Sequence, residues 1–253
     1  MTRVILSGCN GHMGQTITGI AAENPDTEIV AGIDINAGTE SGYPVYDSID
    51  KCKEEADVII DFSSPAVLDD LLSYGIKNGI PLVLCTTGYD EAAVKKIEEA
   101  SKETAVLRSA NMSLGINILA KVLKGISGQL KDAGFDIEIV EKHHRLKKDA
   151  PSGTALLLAD AVNSSVSKKL EYVYDRSGRS EKRPDDEIGI SAIRGGTIPG
   201  DHDVIFAGTD EVITLSHRAY SKAVFARGAV QAAVFLNGKK PGMYSMSDVI
   251  NNG

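Results

Sequence analysis

Cysteine is scarce in this chain of 253 residues, which holds only Cys9, Cys52 and Cys85. Their spacing makes neither a disulfide framework nor a zinc site, so reduced thiols in a cytoplasmic protein are expected. Excess positive charge is also lacking. The 27 Lys and Arg stand against 35 Asp and Glu, and the formal net charge is -8. A non-specific nucleic-acid binder would carry a basic surface, so that class is set aside; a local basic pocket for an acidic substrate stays open. Long apolar runs are missing, and no segment has the length and apolarity of a membrane span. Met1-Thr2-Arg3-Val4-Ile5-Leu6 runs into Gly8 almost at once, so no secretory signal is expected. There is no internal repeat, no low-complexity segment, no G-x-x-x-x-G-K-[ST] phosphate loop and no H-E-x-x-H metal motif. What is present is an ordinary globular composition, 42% hydrophobic and 25% charged. The length suits one large domain or two modest ones.

The first half alternates short apolar runs with helical stretches. Strands are expected at Val4-Ile5-Leu6, 28–33, 56–62, 82–85 and 105–107. Helices are expected at 15–22, 67–75 and 90–101. This order indicates βαβ units and a mainly parallel sheet. After Asn111 the character changes. Helices are expected at 114–126, at 152–162 with Ser152 as cap, and at 222–236. Strands are expected at 136–141, 187–194, 203–208 and 211–217. These imply a second domain with a larger, mixed or antiparallel sheet. Residues 175–186 are polar and charged and read as an exposed loop. The tail around Pro241-Gly242-Met243-Tyr244 is expected to return to the first domain.

The turn after the first strand reads Gly8-Cys9-Asn10-Gly11-His12-Met13-Gly14. The common G-x-G-x-x-G pattern would place its first glycine at position 9, one residue later. The physics is the same: Gly8 allows a tight turn, Gly11 a close approach of pyrophosphate, and Gly14 close helix-to-strand packing. The following helix N-terminus faces the phosphates with free N–H groups and the positive end of its dipole. Asp34 ends the next strand, about 20 residues past Gly14, where an acid accepts hydrogen bonds from the adenosine ribose. Together these fit NAD(H) or NADP(H). A tight turn that binds nothing and an ordinary loop aspartate are the plain alternatives.

The densest chemistry is Glu141-Lys142-His143-His144-Arg145-Leu146-Lys147-Lys148-Asp149-Ala150-Pro151-Ser152-Gly153-Thr154. Two of the five histidines are adjacent here, among several cations in an otherwise acidic chain. The helix that opens at Ser152 points free N–H groups at whatever lies in front of it. This reads as an anion-binding pocket with a histidine and a lysine able to move protons. The alternative is a solvated basic loop. Metal binding is not expected, because adjacent histidines rarely point the same way.

That string resembles the signature E-x-H-H-x-x-K-x-D-x-P-S-G-T of the 4-hydroxy-tetrahydrodipicolinate (dihydrodipicolinate) reductase family of bacterial lysine biosynthesis. The glycine turn, Phe62-Ser63-Ser64-Pro65, Thr86-Thr87-Gly88, Ser109-Ala110-Asn111-Met112-Ser113 and Arg194-Gly195-Gly196 are similar to the family as well. So are Gly208, His217 and Lys240-Pro241-Gly242-Met243-Tyr244, and the resemblance spans essentially the full length.

The resemblance implies an α/β fold: an N-terminal Rossmann-type dinucleotide-binding domain and a C-terminal α+β domain containing a mixed sheet. Residues 1–111, completed by about 225–253, would bind the dinucleotide; 112–224 would bind substrate and form a homotetramer. The reaction implied is reduction of a cyclic dicarboxylate by NAD(P)H. His143 would be the acid/base residue and Lys147 a proton donor, with His144, Gly153 and Thr154 on the substrate. Gly8, Cys9, Asn10, Gly11, His12, Met13 and Asp34 would hold the cofactor. So would Cys85, Thr86 and Thr87, and then Ser109, Ala110, Asn111 and Met112. The family usually has glycine at the position of Cys85, whose side chain is expected to narrow that loop. Asp34, followed by uncharged residues, predicts a preference for NADH without excluding NADPH. The partners implied are a small-molecule dicarboxylate and further copies of the chain, with no metal, nucleic acid or membrane. Two other readings stay open at this point. One is a dehydrogenase of an aldehyde or amino acid, and the other a sensor that binds NAD(H) without turnover.

Overall fold

The computed structural model describes residues 1–37, 41–109 and 111–251. In chain order it contains β1 (Thr2–Ser7), α1 (His12–Glu23), β2 (Thr27–Ile33), β3 (Val45–Tyr46) and β4 (Val58–Asp61). Then come α2 (Leu68–Asn78), β5 (Leu82–Leu84), α3 (Glu91–Ala100), β6 (Ala105–Arg108) and α4 (Leu114–Asp132). β7 (Asp136–His143), α5 (Gly153–Asn163), β8 (Glu171–Val173), β9 (Glu187–Arg194), β10 (Gly200–Ala207) and β11 (Val212–Ala219) follow. The chain closes with α6 (Ala223–Leu236), β12 (Gly242–Tyr244) and α7 (Met246–Asn251). It divides into two compact units, Met1–Leu114 with Ala223–Gly253, and Gly115–Lys222. None of the described helices is long and apolar enough to cross a membrane.

The first unit is built on a seven-stranded sheet in the order β12-β6-β5-β4-β1-β2-β3, with every pair parallel. Parallel strands are covered on both faces, which is why they read as continuous apolar runs. Alternate residues go to opposite sides. Val4, Leu6, Val58 and Ile60 meet Ile17 of α1 and Ala229, Val230 and Ala233 of α6. Ile5, Ile59, Leu82 and Val106 meet Leu71 and Leu72 of α2 and Ile97 of α3. Ile5 and Leu6 are fully buried, and each such side chain contributes about 1.5–3 kcal/mol. The strand order reverses at β1, with β2 on one side and β4 on the other. In open α/β sheets the crevice beyond the strand ends at such a reversal is the ligand site.

The second unit carries a five-stranded mixed sheet in the order β11-β10-β7-β9-β8. β10 is antiparallel to β7 and β11, while β9 is parallel to β7 and β8. Ile137, Ile139, Ile188, Ile190, Val204 and Phe206 bury one face against α5 and Leu123 of α4. The sheet is mixed, as expected; it has fewer strands than the first, but most of them are longer. β3 and β12 add two and three residues to the first sheet, too few to leave a periodic signal. Residues 175–186 are mostly exposed, as expected. Three of their arginines are nonetheless tied to the sheet. Arg176 bonds Glu138 and Glu187, Arg179 bonds Glu187, and Arg183 bonds Asp136 and Glu138.

Candidate active site

On β7 the burial alternates, and Ile137, Ile139, Glu141 and His143 share the inward face. The face begins apolar and becomes polar over its last two positions, so the core ends where the chemistry starts. Neighbouring strands do the same. His202 of β10 lies directly opposite Glu141, and Arg194 of β9 is opposite His143. Two polar residues distant in sequence, Arg194 and His202, are thereby brought to the end of β7 that carries Glu141 and His143.

Glu141 is fully buried and fully partnered. Arg194 donates to both its oxygens at 2.7 Å, and the backbone N–H of Ser152 donates to Oε1 at 2.9 Å. His143 Nδ1 lies 2.7 Å from Oε2. Burial pushes the Glu141 carboxyl up, but the bonds from Arg194, His143 and Ser152 outweigh it and hold it below the usual range. Burial pulls His143 below its usual value, and the bond to Glu141 opposes that pull. The result is an imidazole whose Nδ1–H is committed to Glu141 and whose Nε2 can take up and hand on a proton. A Cβ at Gly200 would come within 3.0 Å of that Nε2, so glycine keeps the space beside it.

The remaining residues expected at the substrate lie within the same stretch. His144 follows β7 and is half-buried. Lys147 is half-buried, and its Nζ is 2.8 Å from Asp149, whose pKa the pair lowers. Arg194 also donates to the carbonyl of Asp149 at 2.7 Å, which ties this loop to β9. Ser152 caps α5, its Oγ accepting from Ala155 N–H at 3.1 Å. Gly153, the first residue of α5, is exposed with open space where a Cβ would stand, and half-buried Thr154 comes next. Sequence reasoning gave no role to Glu141, Arg194 or His202. The alternation of β7 could have paired Glu141 with His143. Only strand pairing brings in the other two.

In the first unit, the segments expected to hold a dinucleotide follow the ends of β1, β2, β5 and β6, all at one edge of the parallel sheet. A Cβ at Gly14 would strike the carbonyl of Gly8, so α1 sits closer to the turn than any side chain permits. Gly11 is the N-cap of α1 and no side chain caps it, which leaves this helix start suited to phosphate. Asp34 accepts from the N–H of Asn10 at 3.1 Å and of Asn36 at 3.0 Å, so its carboxylate sits beside the turn. Exposed His12 and half-buried Met13 open α1. These features fit a dinucleotide.

Cys9 points the other way, into the core, where burial raises its thiol to about 11. Cys85 is also buried in that core, so its side chain does not narrow the loop as expected. Burial raises its thiol too. Thr86 Oγ1 accepts from Ser63 N–H at 3.0 Å, and Thr87 follows it on the surface. Ser109 Oγ donates to the carbonyl of Asn111, while Asn111 and Met112 are buried. Ala110 lies outside the described residues.

Comparison with known proteins adds an independent line. A family model described as "Dihydrodipicolinate reductase, N-terminus" matches residues 2–112, and one described as "Dihydrodipicolinate reductase, C-terminus" matches residues 115–250. A 4-hydroxy-tetrahydrodipicolinate reductase of Caldanaerobacter subterraneus subsp. tengcongensis is 54% identical over 253 residues, covering 100% of both chains. One from Clostridium tetani is 52% identical over 253 residues, covering 100% of this chain and 98% of its own. A solved structure of dipicolinate-bound dihydrodipicolinate reductase from Paenisporosarcina sp. TG-14 has a TM-score of 0.79 at 23% identity and covers 99% of each chain, a likeness of fold. The chain belongs to the dihydrodipicolinate reductase family.

Proposed function

We propose that this chain reduces 4-hydroxy-tetrahydrodipicolinate to tetrahydrodipicolinate with NADH or NADPH, the reduction step of lysine and diaminopimelate biosynthesis. The observation that carries the reading is the imidazole of His143, held by buried Glu141 at the start of a cation-rich loop. The 4-hydroxyl of the substrate leaves as water, giving a conjugated carbon–nitrogen system, and a bound nicotinamide would supply the hydride that adds to it, ending as the oxidised dinucleotide. The electron density that builds there is quenched by a proton, for which His143 is the acid/base residue. Lys147 donates a proton or stabilises the developing charge. His144, Gly153 and Thr154 receive the substrate carboxylates, with the N-terminus of α5 behind them.

The glycine turn from Gly8 to Met13, together with Asp34, residues 85–87 and residues 109–112, holds the dinucleotide. At Cys9 and Cys85 that contact is through the backbone, because both side chains are in the core. Asp34 accepts bonds from the ribose hydroxyls of NADH and repels a 2′-phosphate, so NADH is preferred. Ile35 beside it is 86% exposed and offers no positive charge to hold that phosphate. The enzyme works in the cytoplasm on a small molecule, without metal, nucleic acid or membrane. It assembles as a homotetramer through the second unit, whose sheet exposes Ile193, Val212 and Ile213.

The test is kcat/KM with each nucleotide at saturating cyclic dicarboxylate and moderate salt. The expected outcome is turnover with both and a higher value with NADH. Ile35→Arg is expected to shift the ratio toward NADPH. Equal values, or a higher one with NADPH, overturn the role given to Asp34. Absence of turnover with either overturns the reaction.

A further inference from the structure

Four residues of the second unit close a ring. His143 Nδ1 meets Glu141 Oε2 at 2.7 Å, and Glu141 Oε1 accepts the N–H of Ser152 at 2.9 Å. Ser152 Oγ and His202 Nε2 are hydrogen-bonded at 2.9 Å. The ring of His202 packs edge-on against that of His143, with centroids 5.1 Å apart and planes at 74°. The ring links β7, the cap of α5 and β10, and each member constrains the next. We propose that His202 is a positioning residue for the reduction, holding His143 and the start of α5 in register through Ser152.

The inference rests on the acid/base role given to His143. Three observations point to it. His202 is 3% exposed, and its Nδ1 has no hydrogen-bond partner among the described residues. A buried polar atom left without a partner is destabilising, a cost that an apolar side chain on this core-facing position would avoid. His202 therefore carries a cost that packing alone does not explain. Burial, and then the neighbouring His143, lower it to about 4, so at neutral pH it places no charge against a proton on His143. Ser152 also joins the two expected halves of the substrate site. Its N–H is on the partner of His143, and its Oγ caps the helix that begins with Gly153 and Thr154. Freeing Ser152 would loosen both, and misplacement of about 1 Å costs a reaction on the order of 10²-fold.

The experiment compares wild type with His202→Phe, His202→Gln, Ser152→Ala and the Phe/Ala double variant. Phe fills the space without the bond, while Gln keeps a polar atom near the place of Nε2. Three readouts are taken: kcat with NADH and the cyclic dicarboxylate, NADH affinity by fluorescence titration, and the low-field proton resonance of His143 Nδ1–H. His202→Phe is expected to lose kcat by roughly 10–100-fold with NADH affinity unchanged, and Gln to recover most of that loss. The double variant is expected to be no worse than the poorer single one, because both cut the same link. The His143 resonance is expected in wild type and His202→Gln, and broadened or lost in His202→Phe and Ser152→Ala. A His202→Phe enzyme within about twofold of wild type, additive losses, or an unchanged resonance overturns the proposal. Should His202→Phe fail to fold, Ser152→Ala cuts the link from the other side and decides by the same readouts. Should wild type itself not oxidise NADH, the reaction is wrong, and the resonance still reports whether His202 positions His143.

Discussion

A single buried carboxylate organises the candidate active site. Glu141 is stable there as an anion because Arg194 meets both its oxygens and Ser152 adds a backbone N–H. Glutamine would keep the shape and lose the charge. Burial already lowers His143, and Glu141 opposes that effect, so Glu141→Gln lowers His143 further. If protonated His143 is the acid, kcat/KM falls as pH rises through its pKa. Glu141→Gln therefore moves that limb to lower pH and reduces turnover at neutral pH by roughly 10²-fold or more. pH–rate profiles of the two enzymes check this, and superimposable profiles would refute it. At this scale legibility followed sequence proximity. His143, His144, Lys147, Gly153 and Thr154 could be proposed from the sequence because one short string carries them. Arg194 and His202 reach Glu141 only through pairing with β9 and β10. His202 was further hidden because β10 was expected to begin at 203. It begins at Gly200, in a stretch whose Pro199-Gly200 reads as a turn.

Elements with a strong apolar run between turn residues were legible: β1, β2, β4, β5 and β6 all lie where the runs predict. Their apolar runs are buried or half-buried on both faces, and polar residues fall only toward the strand ends. β3, β8 and β12 were missed because two or three residues carry no period. The segment before β9 shows a different limit. Its charge predicts exposure, yet its arginines neutralise acids on the sheet. Glu187 is 3% exposed and is bonded by Arg176 and Arg179. Arg176 also makes a two-point pair with Glu138 across Gly189, where a side chain would strike both partners. Arg176→Met leaves Glu138 and Glu187 each with fewer partners. It is expected to cost about 1–2 kcal/mol in urea unfolding, since the lost bonds are charge-assisted but half-exposed, and Arg179 and Arg183 still face the two acids. A cost below about 0.5 kcal/mol would assign these pairs to the solvated surface.

Across the whole molecule, the two sheets carry different parts of the proposed chemistry. The parallel sheet presents its expected cofactor segments along one edge, where unpaired helix N–H groups suit phosphate. The mixed sheet presents an imidazole, its carboxylate and a cation-rich loop. The first arrangement alone would serve a sensor of NAD(H); the second is what a catalyst adds. The measurement that separates them is steady-state NADH oxidation by wild type and His143→Ala with freshly formed cyclic dicarboxylate, alongside NADH affinity by fluorescence titration. The account predicts turnover by wild type, a loss of roughly 10²–10⁴-fold in the variant, and equal affinity for NADH. Turnover by His143→Ala within about twofold of wild type, or NADH bound but never oxidised by wild type, would contradict it.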